Sequence, residues 1–551
     1  MNGAESFVEA LVDSGVTTFF GLPGSTEAPL LEAIRAAGAP RYVLSLHEGA
    51  TVAMADGYAR VSGSPGVVGL HTTVGTMNGM SQLFNAYRDQ SPVVMTAGHK
   101  DRAVLAEDAF CATPDLASLL RGFTKSAWQT LSARSIGADL RRALQAAMAP
   151  PRGPAFLALP EDLMVESVDA DATRSGQAWR PTDLASVAAP AAIRAAVDLL
   201  ASASAPLLVA GSGALGAAQA LLGVARDFEL PLVYTDFSDL GSLPYSPCDA
   251  RHLGLYGEER SVLDGCDLVL AVGSRVFYPF SDATRARLPP GARLVHVTAD
   301  PSHVGRSVAA DLGLVGDVGL VLDALAAELA ARGGLDPSRR AARARRLAQA
   351  TAARGERVAS ELAAAPDAVP LAIERLGAEL NRVLPDGVVL VDEGVRSSRR
   401  LLRYLRPPED ALVLRTTGGS LGWGVPAAIG AKLAAPSRPV VAVVGDGSLH
   451  FSVQAIWSAV TERAPVVVVV LDNGGYLAVK RAVEGFLGVA RDDRFHPGTE
   501  LPGIDHVAVA TGYGATGVDV GSASGLAEAV RDALAREQTV VIRVPVVAIR
   551  P

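Results

Sequence analysis

Short Val-rich runs ending in Gly, Ser or Asp, each followed by an Ala-rich amphipathic stretch, recur from one end of the chain to the other. This alternation of strand and helix signals constrains the fold more than any other feature: strands joined through helices pair in parallel and need helices over both faces of their sheet. The predicted strands are residues 17–20, 66–70, 92–96, 207–210, 268–272, 388–391, 439–444, 466–471 and 539–544, in three groups. Residues 165–190, rich in Asp, Ser, Thr and Pro, read as a linker between the first two groups. Residues 333–370, with Gly333-Gly334, Pro337 and the basic run Arg339, Arg340, Arg343, Arg345 and Arg346, separate the second from the third, and the run reads as a solvated helix face. The expectation is an α/β protein of three doubly wound parallel-sheet domains, 1–165, 190–330 and 366–551. The first and third share one strand-helix pattern.

With 58 Asp and Glu against 50 Lys and Arg, the 551-residue chain carries a formal charge of −8, so no general attraction to nucleic acid or anionic lipid is expected and any phosphate site must be local. The longest plainly apolar run, 464–471, is far short of the ~18 residues of a membrane span and reads as a buried strand. No basic segment leading into an apolar core stands at the N-terminus. Three scattered cysteines, Cys111, Cys248 and Cys266, give neither a disulfide framework nor a zinc pattern, and a cytoplasmic protein without nucleic-acid or membrane partners is expected.

The most specific chemistry lies in the third group. Strand 439–444 runs into Gly445-Asp446-Gly447-Ser448, and strand 466–471 runs into Asp472-Asn473-Gly474-Gly475. Adjacent parallel strands bring such turns together at the crevice where open α/β sheets bind ligands. The Asp446 carboxylate, the Asn473 amide oxygen and the Gly475 carbonyl are hard donors suited to Mg²⁺ that shares its other positions with phosphate oxygens. Gly445 and Gly447 permit close approach, and the N–H groups after them can hold anionic oxygens. In the first group, strand 17–20 ends in Gly21-Leu22-Pro23-Gly24-Ser25 and strand 66–70 in His71-Thr72-Thr73-Val74-Gly75. Between them Leu46-His47-Glu48-Gly49-Ala50 opens an Ala-rich helix.

His47-Glu48 with Ala55-Asp56-Gly57-Tyr58-Ala59-Arg60, Gly445-Asp446-Gly447-Ser448 and Asp472-Asn473-Gly474 together resemble the thiamine-diphosphate-dependent 2-oxo acid decarboxylases and carboligases, over essentially the whole chain. Within that superfamily the stretches 22–25, 70–76, 91–98 and 501–505 are most similar in style to the benzoylformate decarboxylases. The resemblance implies that Asp446, Asn473 and the Gly475 carbonyl bind Mg²⁺ on the cofactor diphosphate, with Gly445, Gly447, Ser448 and Tyr476 around it. Glu48 becomes the acid on the aminopyrimidine ring. Leu421 becomes the apolar wedge between the cofactor rings, with the Gly419 carbonyl on the exocyclic amine. Ser25 and His71 match substrate-binding and proton-shuttling positions, and Arg396 falls near the diphosphate. In this family Glu48 and the metal loop meet across a subunit interface, which implies a homodimer at least and a homotetramer by resemblance.

The implied activity is a lyase that decarboxylates a 2-oxo acid and then either protonates the product to an aldehyde or ligates it to an acceptor carbonyl. Phe280 stands where the family has a second histidine, which puts simple decarboxylation in question. Phe110, Cys111, Ala478, Val479, Ala482 and Arg415 complete a substrate pocket by resemblance, and Arg415, if free, would suit a second carboxylate. Gly211-Ser212-Gly213-Ala214-Leu215-Gly216 is a literal dinucleotide fingerprint, but without a well-placed acid on the next strand FAD is not expected. The rival readings are an FAD-containing acetolactate synthase, an NAD-dependent dehydrogenase, and a non-catalytic cofactor-binding scaffold.

Overall fold

The computed structural model describes residues 1–169, 178–278, 286–488 and 496–547. It contains three six-stranded sheets in which the strands pair in parallel. The N-terminal sheet comprises β1 (Thr18–Leu22), β2 (Arg41–Leu44), β3 (Gly66–His71), β4 (Val93–His99), β5 (Ser126–Gln129) and β6 (Ala155–Pro160) in the order β2-β1-β3-β4-β6-β5. The middle sheet comprises β7 (Pro206–Ala210), β8 (Leu232–Tyr234), β9 (His252–Leu255), β10 (Leu268–Val272), β11 (Arg293–Thr298) and β12 (Leu312–Val315) in the order β12-β11-β10-β7-β8-β9. The C-terminal sheet comprises β13 (Val389–Glu393), β14 (Leu412–Leu414), β15 (Val440–Gly445), β16 (Val467–Asp472), β17 (Thr516–Asp519) and β18 (Val540–Pro545) in the order β14-β13-β15-β16-β18-β17. The first and third orders are identical once renumbered, so the shared strand-helix pattern reflects a shared topology.

The N- and C-terminal units are fused through one apolar core that includes Val52, Met54 and Leu70 from one and Ala427, Ala428 and Val444 from the other. Its centre is the packing of the Glu48–Ser62 helix on the Gly424–Ala434 helix. Small residues set the spacing: a Cβ on Gly57 would lie 2.1 Å from the Ala427 carbonyl oxygen, and one on Gly430 would lie 1.9 Å from that of Met54. Buried Asp56 accepts from Trp423 Nε1 (2.6 Å) across the same seam. No helix among the described residues is long and apolar enough to cross a membrane.

In the middle unit the dinucleotide-like glycines have a packing role. A Cβ on Gly211 would meet the Gly273 carbonyl oxygen at 2.5 Å, and Gly213 N donates to that same oxygen.

The basic run at 339–346 is not the solvated face its composition predicts. It lies on the Pro337–Ala364 helix, and four of its arginines reach carbonyls at or just beyond helix C-termini, where backbone acceptors lack intrahelical donors. Arg339 donates to Ser202 O (2.6 Å), Arg340 to Asp227 O (3.0 Å), and Arg346 to Val262 O (3.0 Å) and Asp264 O (2.7 Å). Arg343 is buried and donates to Leu200, Ala203 and Phe228 carbonyls at 2.6–2.7 Å; burial, with Arg339 nearby, pulls its pKa down to about 10. Arg339 and Arg345 are the exposed members of the five, and of these two Arg339 still reaches a helix end. Arg343→Met, which strands three buried carbonyls, is expected to destabilise the chain by about 2–4 kcal/mol in denaturant unfolding. Arg345→Met should stay within about 0.5 kcal/mol.

Candidate active site

β1, β3 and β4 are neighbours, so their carboxyl ends converge, and a buried acid organises them. Glu27, in the Ser25–Glu27 turn, accepts from Gly24 N (2.8 Å) and Gly98 N (2.9 Å), from Thr26 Oγ1 (2.7 Å), and lies 3.0 Å from His71 Nδ1. Thr26 Oγ1 is also 3.0 Å from His71 Nδ1. Glycines make the room: a Cβ on Gly24 would sit 2.3 Å from the His71 ring, and one on Gly98 2.0 Å from Glu27 Oε1. His71 Nδ1 is thereby engaged, leaving Nε2 as the nitrogen for exchange with a ligand. Ser25 is exposed beside this pair.

Glu48 opens its helix behind the N-cap His47, whose Nδ1 accepts from Gly49 N (3.0 Å). Its half-buried carboxylate accepts from Asn78 Nδ2 (3.1 Å), on the Thr72–Arg88 helix. Among the described residues no hydrogen bond or ion pair joins Glu48 to the loops after β15 and β16.

Those two loops lie side by side, since β15 pairs with β16. Asp446 is buried, with Oδ1 accepting from Gly447 N and Oδ2 from Gly475 N, both at 2.9 Å. Burial, helped by the Asp472 charge, pushes its carboxyl up to about 6. Asn473 Oδ1 is buried and has no hydrogen-bond partner. A buried carboxylate, an orphaned amide oxygen and the Gly475 carbonyl therefore fit a small hard cation. No group of three or more His, Cys, Asp or Glu side chains suited to a metal occurs among the described residues, so such a cation must draw further oxygens from its ligand. Gly447 lies under the Tyr476 ring, where a Cβ would meet Cε1 at 2.5 Å, and Ser448 is buried one residue on.

The loop carrying Gly419 and Leu421 is held by the N-terminal unit. Asn85 Nδ2 donates to Ser420 O (2.9 Å), Asn85 Oδ1 accepts from Ser420 N (3.1 Å), and Gln82 Nε2 donates to Leu421 O (2.8 Å). Gly419 has φ +83°, a conformation that favours glycine. Two β-branched residues close behind strand ends also have positive φ, Thr72 (41°) and Val395 (51°), and such strain collects at functional sites. Arg396 comes next after Val395 and opens the Arg396–Tyr404 helix.

Arg415 is a correction. Its guanidinium is buried, with Nε 3.0 Å from Asp392 Oδ2, NH1 2.6 Å from Leu240 O and the group stacked over Phe237 at 4.0 Å. It locks the middle unit to the C-terminal one and offers no free charge to a substrate. Its neighbour Glu393 instead accepts from Trp423 N (3.1 Å) and Gly424 N (2.8 Å), with its carboxyl pushed up to about 7 by burial. On the Leu477–Leu487 helix, Ala478, Val479 and Ala482 form an apolar face that is at least partly exposed. Phe110 is 84% exposed and Cys111 half-buried. Phe280 lies outside the described residues.

Residues 1–119 match the thiamine pyrophosphate enzyme N-terminal TPP binding domain, 193–325 its central domain, and 396–544 its C-terminal TPP binding domain. Benzoylformate decarboxylase of Pseudomonas aeruginosa is 34% identical over 548 residues, 98% of each chain. The chain belongs to the thiamine pyrophosphate enzyme family. A second relative, the acetolactate synthase large subunit of Parasynechococcus marenigrum, is 29% identical over 94% of this chain and 83% of that one. Among solved structures, the thiamine diphosphate-dependent 4-hydroxybenzoylformate decarboxylase of Rhodococcus jostii superposes with a TM-score of 0.86 at 29% identity, over 99% of both chains. Membership in this family fixes the cofactor class; its named members divide between decarboxylases and synthases.

Sequence reasoning missed Glu27, Asn78, Asn85 and Gln82. A signal existed for the first: Glu27 stands three residues after Gly24, the spacing at which an acid turns back to the backbone N–H that opens a turn, and its carboxylate accepts from the Gly24 N–H.

Proposed function

We propose that this family member is a thiamine diphosphate- and Mg²⁺-dependent lyase that decarboxylates a 2-oxo acid and either protonates the product to an aldehyde or ligates it to an acceptor carbonyl. The observation that carries this is the Asp446–Asn473–Gly475 oxygen set, with its orphaned amide oxygen, on adjacent strand ends of a TPP binding domain. When bound, the cofactor supplies an electron sink at the former carbonyl carbon. Asp446, Asn473 and Gly475 would hold the metal, Gly419 and Leu421 the ring system, and the Glu48 carboxyl, oriented by Asn78, a proton on the pyrimidine. His71 would move a proton through Nε2, with Nδ1 held by Glu27 and Thr26, and the Ser25 hydroxyl would bind the substrate carboxylate.

Among the described residues no hydrogen bond or ion pair joins Glu48 to the metal loops within one chain, and an apolar stripe, Val74, Met77 and Phe84, is exposed on the Thr72–Arg88 helix whose Asn78 holds Glu48. A second copy covering that stripe would complete the site, giving a dimer and, by pairing of dimers, a tetramer. The test is incubation of the purified protein with thiamine diphosphate, Mg²⁺ and a panel of 2-oxo acids, with and without aldehyde acceptors, and identification of products by mass spectrometry. Release of CO₂ with an aldehyde or acyloin supports the reading, and inertness toward every 2-oxo acid in a cofactor-loaded protein overturns it.

Because the Asp446 carboxyl sits at about 6 without a metal, Mg²⁺ must displace a proton below that pH. Apparent Mg²⁺ affinity, monitored by calorimetry in the presence of cofactor, is expected to be flat above about pH 7 and to fall about tenfold per unit below pH 6.

A further inference from the structure

The Thr72–Arg88 helix turns a polar stripe, Gln82, Asn85 and the C-cap Asp89, toward the loop at 417–421. Residues three and four apart share one helix face, so the spacing accounts for the alignment. Asn85 is fully buried and uses its whole amide. Its Oδ1 accepts from Ser420 N (3.1 Å), and its Nδ2 donates to Ser420 O (2.9 Å) and to Gln82 Oε1 (2.7 Å). A flipped amide would set N–H against N–H and oxygen against oxygen at Ser420, so only one orientation fits. That orientation fixes the next one: with Gln82 Oε1 taken by Asn85, Gln82 Nε2 is turned to Leu421 O (2.8 Å). The approach is close as well. A Cβ on Gly418 would lie 2.2 Å from Asn85 Oδ1 and 2.7 Å from Asn85 Cα, so the loop backbone rests directly on the helix.

The same loop is tied at both ends. Thr417 N and Oγ1 donate to Asp89 Oδ1 (3.0 and 2.7 Å), and past the turn Trp423 N and Gly424 N donate to Glu393 (3.1 and 2.8 Å). Backbone groups on either side of Gly419 are thus engaged, whereas no donor among the described residues reaches Gly419 O. Gly419 is exposed, with nothing within 4 Å of its would-be Cβ. One free carbonyl stands out of an otherwise anchored loop. Apolar side chains would seal this seam without the cost of burying two amides; what the amides add is a single register for the loop.

We propose, on the thiamine diphosphate reading above, that Asn85, with Gln82 oriented through it, is a positioning residue for cofactor activation: it fixes the direction of the Gly419 carbonyl and the placement of the Leu421 side chain. It acts through the loop and not on the reacting atoms. A displacement of about 1 Å in such a group is enough to cost on the order of 10²-fold in rate.

The test follows exchange into D₂O of the hydrogen at C2 of the thiazolium ring, for cofactor bound with Mg²⁺, by quenched-flow NMR. Beside it, hydrogen exchange of the loop amides is measured in cofactor-free protein by mass spectrometry. In Asn85→Ala the segment carrying Ser420 should exchange at least about tenfold faster. C2 exchange should slow by about 10–100-fold, while thiamine diphosphate affinity in calorimetry stays within about threefold. Gln82→Met, which removes one donor and keeps the volume, should slow C2 exchange by about three- to tenfold, and it decides the matter alone if Asn85→Ala does not fold. Arg343→Met, which weakens the fold at the middle unit, controls for lost stability and should exchange at the unmutated rate. If the unmutated protein does not accelerate C2 exchange over free cofactor, the lyase reading falls and the role of Asn85 with it. If it does, but Asn85→Ala and Gln82→Met both stay within threefold, only the positioning role is overturned. Loss of cofactor binding in Asn85→Ala, or equal slowing in Arg343→Met, would make Asn85 a structural support and overturn it too.

Discussion

Glu48→Gln is expected to lower kcat by about 10²–10⁴-fold, the range over which a positioned acid or base acts, while leaving the fold intact. Glutamine preserves the length and an oxygen that can still accept from Asn78 Nδ2, so the contact that orients the side chain survives. What disappears is the titrating proton. Cofactor affinity, which rests on the separate oxygens of Asp446, Asn473 and Gly475, should change by no more than about threefold, a difference worth less than 1 kcal/mol. Steady-state kinetics with the best 2-oxo acid, beside calorimetric titration of thiamine diphosphate, separates the two. A kcat within threefold of the unmutated enzyme would remove Glu48 from the chemistry, whereas loss of cofactor binding would make it a structural contact instead.

The strand-end placement of His71, Asp446 and Asn473 was legible because a parallel sheet gathers the residues beyond its strand ends along one edge, and local sequence suffices to find such strand ends. The neighbour relation of β15 and β16 came from the same pattern. Residues whose partners come from distant segments were not legible. Arg415 is one: its 3.0 Å partner Asp392 lies on the neighbouring strand, and its carbonyl partners Phe237 and Leu240 belong to the middle unit more than 170 residues away. The resemblance put Arg415 in the substrate pocket, but burial of a guanidinium demands that its donors be used. The arginines of the Pro337–Ala364 helix failed for the same reason, since a run of cations looks solvated until the helix ends they cap are in place. Glu27 was hidden by the opposite prejudice. A carboxylate in a loop reads as surface, yet the backbone N–H groups of Gly24 and Gly98, with Thr26 and His71, satisfy it in the interior.

The seam between the N- and C-terminal units makes one substitution change sign with its place. Gly430→Ala would set a Cβ 1.9 Å from Met54 O and 2.8 Å from Tyr58 N, both backbone atoms of the facing helix, so no rotamer can relieve it and the helices must separate. Overpacking of this kind costs roughly 3 kcal/mol or more, against about 1 kcal/mol gained from alanine's better helix propensity. The displaced Glu48–Ser62 helix begins with Glu48 itself, so activity should fall together with the unfolding midpoint. Gly355, exposed on the Pro337–Ala364 helix, has nothing within 4 Å of its would-be Cβ. There the same change should stabilise by up to about 1 kcal/mol. Denaturant unfolding of the two variants is expected to move in opposite directions, and equal shifts would mean that the close approach of Gly430 to Met54 does not set the distance between the two units.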